Sequence, residues 1–79
     1  MTVQNLPAPT PLRRLRLARG LTLDAVAVLA GVDPATVSRM ERGLDEPRPE
    51  TIVRLARGLG IGARRMREII RQSAEVELP

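Results

Sequence analysis

The sequence predicts an all-α fold of five short helices in one domain. Three observations carry this. Apolar residues recur three and four positions apart, and no segment alternates with period two. Capping residues open the first three segments, and glycines close or interrupt them. The 79 residues contain no Phe, Trp or Tyr, so the core must be built from Leu, Val, Ile, Ala and Met. A core this small supplies only a few kcal/mol of net stability, which makes pairing or partner binding an expectation.

Residues 1–9 carry two prolines and no charged side chain, and are expected to form a flexible N-terminal arm. Thr10-Pro11 combines a capping hydroxyl with proline at the first helical position. The first helix is placed at Leu12 to Arg19, with Leu12, Leu15 and Ala18 on one face and Gly20 ending it. Thr22 caps a second helix, Leu23 to Ala30, whose first turn carries Asp24 where the helix dipole favours a carboxylate. Gly31 ends it. Asp33-Pro34 begins a third helix that stops at Gly43, and a proline-rich loop follows from Leu44 to Pro49. Glu50 to Leu59 is the fourth helix, weakened near its end by Gly58, which costs about 1 kcal/mol relative to alanine. The fifth runs from about Ala63 to Gln72. The domain is therefore drawn at residues 10–72, with 73–79 as an acidic, frayed tail.

Composition narrows the function. Thirteen basic residues, all of them Arg, face nine acidic ones for a net charge of +4. That balance favours an anionic partner, and Arg suits planar contacts to phosphate and guanine. The same bias also follows from a GC-rich genome. Cysteine and histidine are absent, which removes disulfides, thiolate chemistry and the usual zinc ligands. With no phosphate loop and no paired carboxylates, an enzyme is not expected. Neither is a cofactor, a metal or a small-molecule pocket. The apolar runs are too short to span a bilayer and no signal peptide is evident, so the expectation is a cytoplasmic protein without membrane contact.

Two helices joined by a three-residue turn containing glycine have the sequence form of a helix-turn-helix. Gly31 supplies the left-handed backbone, Val32 fills the corner, and the small Ala27 lets the third helix approach. Val26 and Val37 pack across the crossing. Pro34, Ala35, Thr36, Ser38, Arg39 and Arg42 then face outward, small at the start and basic at the end, a shape that the major groove admits.

"LRRLRLARGLT", "AVAVLAGVDPATVSRMERG" and "ETIVRLARGLGI", in this order and spacing, resemble the Cro/phage-repressor family of helix-turn-helix domains, the xenobiotic-response-element type. The likeness spans residues 12 to 70. It implies the compact five-helix lambda-repressor-like fold, with helices 2 and 3 as the DNA-binding unit. It also implies a structural ion pair between Arg16 and Glu41, and base-reading positions at Pro34, Ala35, Thr36 and Arg39. Arg39 is the leading candidate, because its guanidinium can bridge O6 and N7 of one guanine; a phosphate contact or a solvated side chain is the alternative. The Thr36 hydroxyl either meets DNA or bonds back to its own helix. Phosphate contacts are expected from Arg42, Arg48, Ser38 and the start of helix 2, Thr22 and Leu23. Two positions depart from the family pattern. Leu23 stands where a phosphate-binding glutamine is common, and Asp33 where Ser or Thr is.

Met66, Ile69 and Ile70 lie at i, i+3, i+4 and are candidate dimer contacts, in line with the family's use of its last helix. The same spacing serves equally to complete the core. The leading reading is a sequence-specific transcriptional regulator of double-stranded DNA. It is expected to be a small repressor of phage or plasmid type, or an antitoxin, binding a palindromic operator as a homodimer. The alternative is a protein-interaction module of the same fold that has lost DNA binding. Leu23 and Asp33 keep it open, together with a candidate apolar patch of Leu17, Leu23 and Val28 for a toxin or another regulator.

Overall fold

A computed structural model describes residues 9–75 of the chain; the N-terminal arm up to residue 8 and the last four residues of the tail lie outside them. Five α-helices follow in order: α1 Pro11–Ala18, α2 Leu23–Ala30, α3 Pro34–Glu41, α4 Pro49–Leu59 and α5 Ala63–Glu75. Each of the first three starts on a side-chain cap. Thr10, Thr22 and Asp33 accept from the backbone N–H groups of Arg13, Ala25 and Thr36 respectively, and so satisfy donors that the first helical turn leaves free. α4 starts differently. Arg48 holds the cap position without a side-chain bond, and Pro49 opens the helix.

The core is entirely aliphatic and thioether. Leu12, Val26, Ala30, Val37, Met40, Leu55, Leu59 and Met66 are sealed from solvent, and every helix contributes. α2 packs on α3 and α4, while α5 closes the other side against α1, α3 and α4. Ile52 and Ala56 extend the apolar face of α4, whose opposite face carries Arg54 and Arg57.

The turn between α2 and α3 shows how local chemistry sets the angle between two helices. Gly31 adopts φ +72°, in the left-handed region that side chains resist. The Val32 N–H then reaches back to the Ala27 carbonyl at 3.0 Å, closing the end of α2. Val32 packs against the core, and the buried Ala27 and Val37 bring the two helices together. A Cβ at Gly31 would lie 3.0 Å from Arg54 Nη1, so α4 also leans over this turn.

Polar bonds stitch α1 to the far ends of α3 and α5. The Arg16 Nε donates to Glu41 Oε2 at 2.5 Å and its Nη2 to Oε1 at 3.2 Å, in a bidentate pair that solvent barely reaches. The third nitrogen donates to the Leu21 carbonyl at 2.9 Å, so the buried guanidinium meets an acceptor with each nitrogen. Thr10 Oγ1 donates to the Glu41 carbonyl at 2.6 Å. Ser73 Oγ accepts from the Leu12 N–H at 3.0 Å and donates to the Ile69 carbonyl at 2.9 Å.

The structure differs from the sequence-based expectation at the C-terminus. α5 continues to Glu75, and Ser73, assigned to the frayed tail, is 1% exposed. A hydroxyl that satisfies two backbone groups at once can be buried without an unpaired donor or acceptor. Met66, Ile69 and Ile70 are also not an exposed pairing surface. All three are buried within the single chain, because the side of α5 that carries them is the side that α1, α3 and α4 cover. At the other end, α1 occupies Pro11–Ala18 and Arg19 is its C-terminal cap.

Two substitutions test this packing. Glu41→Ala leaves the Arg16 guanidinium buried without its counter-ion and is expected to lower the unfolding free energy by about 3–5 kcal/mol. Urea denaturation measures this, and an unchanged midpoint would dismiss the buried pair. Gly43 has φ +75°, and a Cβ there would approach Ala74 Cα at 2.7 Å and the Ser73 carbonyl at 2.9 Å. Gly43→Ala must therefore push α5 away from the end of α3. A clear drop in melting temperature is expected, where Gly62→Ala, with open space around its Cβ position, should change little.

Candidate nucleic-acid interface

α3 is held from beneath and bare above. Val37, Met40 and Glu41 are buried. Pro34, Ala35, Arg39 and Arg42 are exposed, and Thr36 and Ser38 half-buried. The six residues not buried therefore present a face that is narrow and uncharged at the N-terminal end, where Pro34 and Ala35 carry no long side chain, and basic at the C-terminal end.

A chain of hydrogen bonds runs along that face. Asp33 Oδ1 accepts from the Thr36 backbone N–H at 3.0 Å and from the Thr36 hydroxyl at 2.5 Å. The same hydroxyl accepts from Arg39 Nη2 at 3.3 Å. Arg39 Nε in turn donates to Asp45 Oδ2 at 3.1 Å. The Thr36 proton is thus committed to its own helix cap, which is the second of the two uses the sequence left open. Its methyl is the part left to meet a ligand. The Arg39–Asp45 pair is partly solvated, with side chains 44% and 31% exposed, so it orders the arginine more than it stabilises the fold.

Around this face the remaining cations take separate positions. Arg42 Nε donates to the Ser38 carbonyl at 3.3 Å, which folds the side chain back along α3. Arg48 is exposed at the start of α4. A hollow between α3 and the following loop brings Thr36, Asp45, Arg48 and Arg54 to one rim, together with Glu46 and Glu50. At the start of α2, Thr22 is exposed, and its hydroxyl caps Ala25 at 3.0 Å. Leu23, placed by sequence both at a phosphate position and in an exposed patch, is half-buried and packs against the core. Val28 and Leu17 of the same patch are well exposed, at 81% and 50%.

Two contacts were invisible to sequence reasoning. Asp45 lies in the loop after α3, six residues from Arg39, and no helical spacing joins them. Arg19 is exposed, yet its Nε caps the carbonyl of Leu59 at the end of α4, 3.0 Å away. Neither pairing leaves a local signal, because each depends on where a turn returns the chain. Among the described residues, no group of three acidic, His or Cys side chains is placed to hold a metal ion.

This architecture, with α2 and α3 joined by a glycine turn and one face of α3 exposed, defines a helix-turn-helix domain. Residues 11–69 match the family model described as a helix-turn-helix domain, and the chain belongs to that family. It is 45% identical over 51 residues to the uncharacterized HTH-type transcriptional regulator RghRB of Bacillus subtilis (strain 168). That match covers 63% of this chain but 37% of the relative, so the chain spans little more than a third of that protein's length. Among solved structures it is similar to the restriction-modification controller protein C.AhdI from Aeromonas hydrophila. The TM-score is 0.68 and the identity 37%, over 72% of this chain and 86% of that one.

The Asp33 cap has a pH signature. Hydrogen bonds from Thr36, first its hydroxyl and then its backbone N–H, favour the charged carboxylate and hold its pKa below the ordinary 3.8. A depressed native pKa contributes stability that is present above 3.8 and is lost as pH falls through the native value. The stability advantage of the wild type over Asp33→Ala should therefore be full near neutrality and close in strong acid. Thermal melts of both proteins across the acid range check this; a gap independent of pH would show that the charge contributes nothing.

Proposed function

We propose that this chain is a sequence-specific regulator that represses transcription by occupying a palindromic operator as a homodimer, with α3 of each copy in the major groove. One observation carries the reading. The outer face of α3 is uncovered, small at Pro34 and Ala35, and ends on an arginine whose guanidinium is held outward. A helix with this profile fits the groove, where Arg39 would bridge O6 and N7 of a guanine. Ala35 and the Thr36 methyl would meet a neighbouring base, the methyl group of thymine being the natural apolar partner. Arg42, Arg48, Ser38 and the first turn of α2 at Thr22 and Leu23 would take phosphates and fix register without reading sequence. Two copies of α3 set about 34 Å apart would enter successive turns of the duplex. The similarity to a transcriptional regulator and to a restriction-modification controller protein supports this reading.

Selection of bound sites from a random DNA pool, followed by a salt titration, tests it. Binding to the selected site should weaken steeply with salt, with a slope near −0.9 per phosphate contacted. Arg39→Ala should cost about 1–3 kcal/mol and relax preference at one base pair per half-site. A uniform loss on all sequences would make Arg39 a phosphate contact. No duplex binding even at low salt would overturn the proposal in favour of the protein-interaction module.

A further inference from the structure

Asp45 is an acidic residue placed against the side chain proposed to read DNA. Taken as charge alone, it opposes binding, since it faces the same phosphates that Arg42 and Arg48 would neutralise. Its geometry points to another role. A guanidinium has five N–H donors arranged along its edges. Asp45 takes the Nε donor of Arg39, and Thr36 takes one from Nη2. Asp45 therefore lies on the Nε side, and Thr36 accepts one of the two Nη2 hydrogens. No residue among those described accepts from Nη1, so both Nη1 hydrogens and one Nη2 hydrogen are left for a ligand. With Thr36 on the Nη2 hydrogen beside Nε, the Nη1–Nη2 end presents two parallel donors, which match the O6 and N7 acceptors of guanine.

We infer that Asp45 is a specificity-determining positioning residue: with Thr36, which Asp33 orients, it locks the side edge of Arg39 so that only the end of the guanidinium can meet a base. The inference rests on the proposed DNA reading of α3. Its physical content is preorganisation. An arginine fixed before contact loses less rotamer freedom on binding, and its donors point in one direction instead of sampling phosphates and several bases. The Asp45 carboxylate also has an effect that does not depend on sequence and leaves base preference unchanged. It is repelled by phosphates in any complex, while the gain from a correctly oriented Arg39 is realised only on the right base pair. Four groups make up the device, Asp33, Thr36, Arg39 and Asp45. The outer two are anionic and the reading group sits between them.

The test compares wild type, Asp45→Ala, Asp45→Asn, Arg39→Ala and the double variant R39A/D45A. Each is titrated with duplexes that differ only at the base pair where R39A relaxes preference, and with random duplex. Asp45→Ala should reduce the preference for guanine there by about 3- to 10-fold, a sizeable part of what a bidentate contact provides. Affinity for random duplex should hold or rise. Asn keeps an oxygen acceptor for Nε, so Asp45→Asn should retain more of the preference than Asp45→Ala does, even though both lose the charge. In the R39A background, removing Asp45 should leave base preference unchanged. Three results would overturn the inference. One is an unaltered preference in Asp45→Ala. Another is equal gain on every sequence, which would make Asp45 a charge that only masks Arg39. The third is equal loss on every sequence with a lowered melting temperature, the mark of a merely structural loop residue. If Arg39→Ala itself relaxes no base pair, the reading of α3 fails first and this inference falls with it. A relaxed Arg39→Ala beside an unaffected Asp45→Ala refutes the inference alone.

Discussion

A buried guanidinium governs where the exposed helix sits. The aliphatic core holds the five helices together, but apolar contact is non-directional and leaves small slides and rotations cheap. Arg16 removes that freedom. Its three nitrogens meet both carboxylate oxygens of Glu41 and the carbonyl of Leu21, and each bond has a narrow geometry. Glu41 is the last residue of α3, and the hydroxyl of Thr10 grips its carbonyl from the other side. The buried end of α3 is therefore located against both ends of α1. Such a pair is a weak source of net stability when weighed against an apolar replacement. Here its consequence is positional. Arg39 sits on the same last turn of α3 and Arg42 caps its C-terminus, so whatever moves Glu41 moves the cations that face outward.

Locally written features were the legible ones. The Thr10-Pro11 and Asp33-Pro34 pairs and Thr22 mark helix starts through bonds no longer than one turn, and Gly31 and Gly43 mark the ends the same way. Period put Leu12, Leu15 and Ala18 on one face, of which Leu12 is buried, Leu15 half-buried and Ala18 exposed, and Val26 and Val37, placed at the helix crossing, are both buried. Period could not separate the two uses of Met66, Ile69 and Ile70, because a core face and a pairing face need the same spacing. Tertiary placement decides, and it puts them inward. Ser73 was misjudged for the opposite reason. A serine near an acidic terminus reads as solvated, and only the approach of Leu12 N–H makes its burial tolerable. At the candidate site, the exposed positions on α3 followed from Gly31 and helix geometry. The partner of Arg39 did not, since Asp45 returns to it only after the chain has turned at Gly43.

The outer side of α5 bears on assembly. Its larger apolar residues are consumed by the core, and three of its charges are answered within the helix. Arg71 bridges Glu68 and Glu75, and the neighbouring carboxylates, Glu68 foremost, hold its pKa above the ordinary arginine value. Arg64, Arg65 and Arg67 add exposed cations to the same helix. A surface made of satisfied ion pairs and like charges is a poor apolar contact for a second copy. Among the described residues, the large apolar side chains that remain exposed lie elsewhere: Leu17 on α1, Val28 and Leu29 on α2, Leu44 in the loop, and Val53 on α4.

On the proposed reading, the acidic residues around α3 favour selectivity over raw affinity. A protein that gains by holding any duplex tightly would surround its reading helix with cations, since phosphate contacts supply most of the non-specific term. This chain sets Asp33 and Asp45 at either end of the hydrogen-bond chain along that face, and Glu46 and Glu50 on the adjoining rim, although its net charge is +4. Each carboxylate lowers affinity for every sequence alike. A loss common to every sequence leaves the ratio between operator and bulk DNA unchanged, so on the proposed reading the ratio rises only through the aiming of Arg39, whose gain falls on the right base pair. The same carboxylates that weaken a generic clamp are bonded to Thr36 and Arg39. On that reading, one set of side chains both subtracts the indiscriminate attraction and aims the discriminating contact.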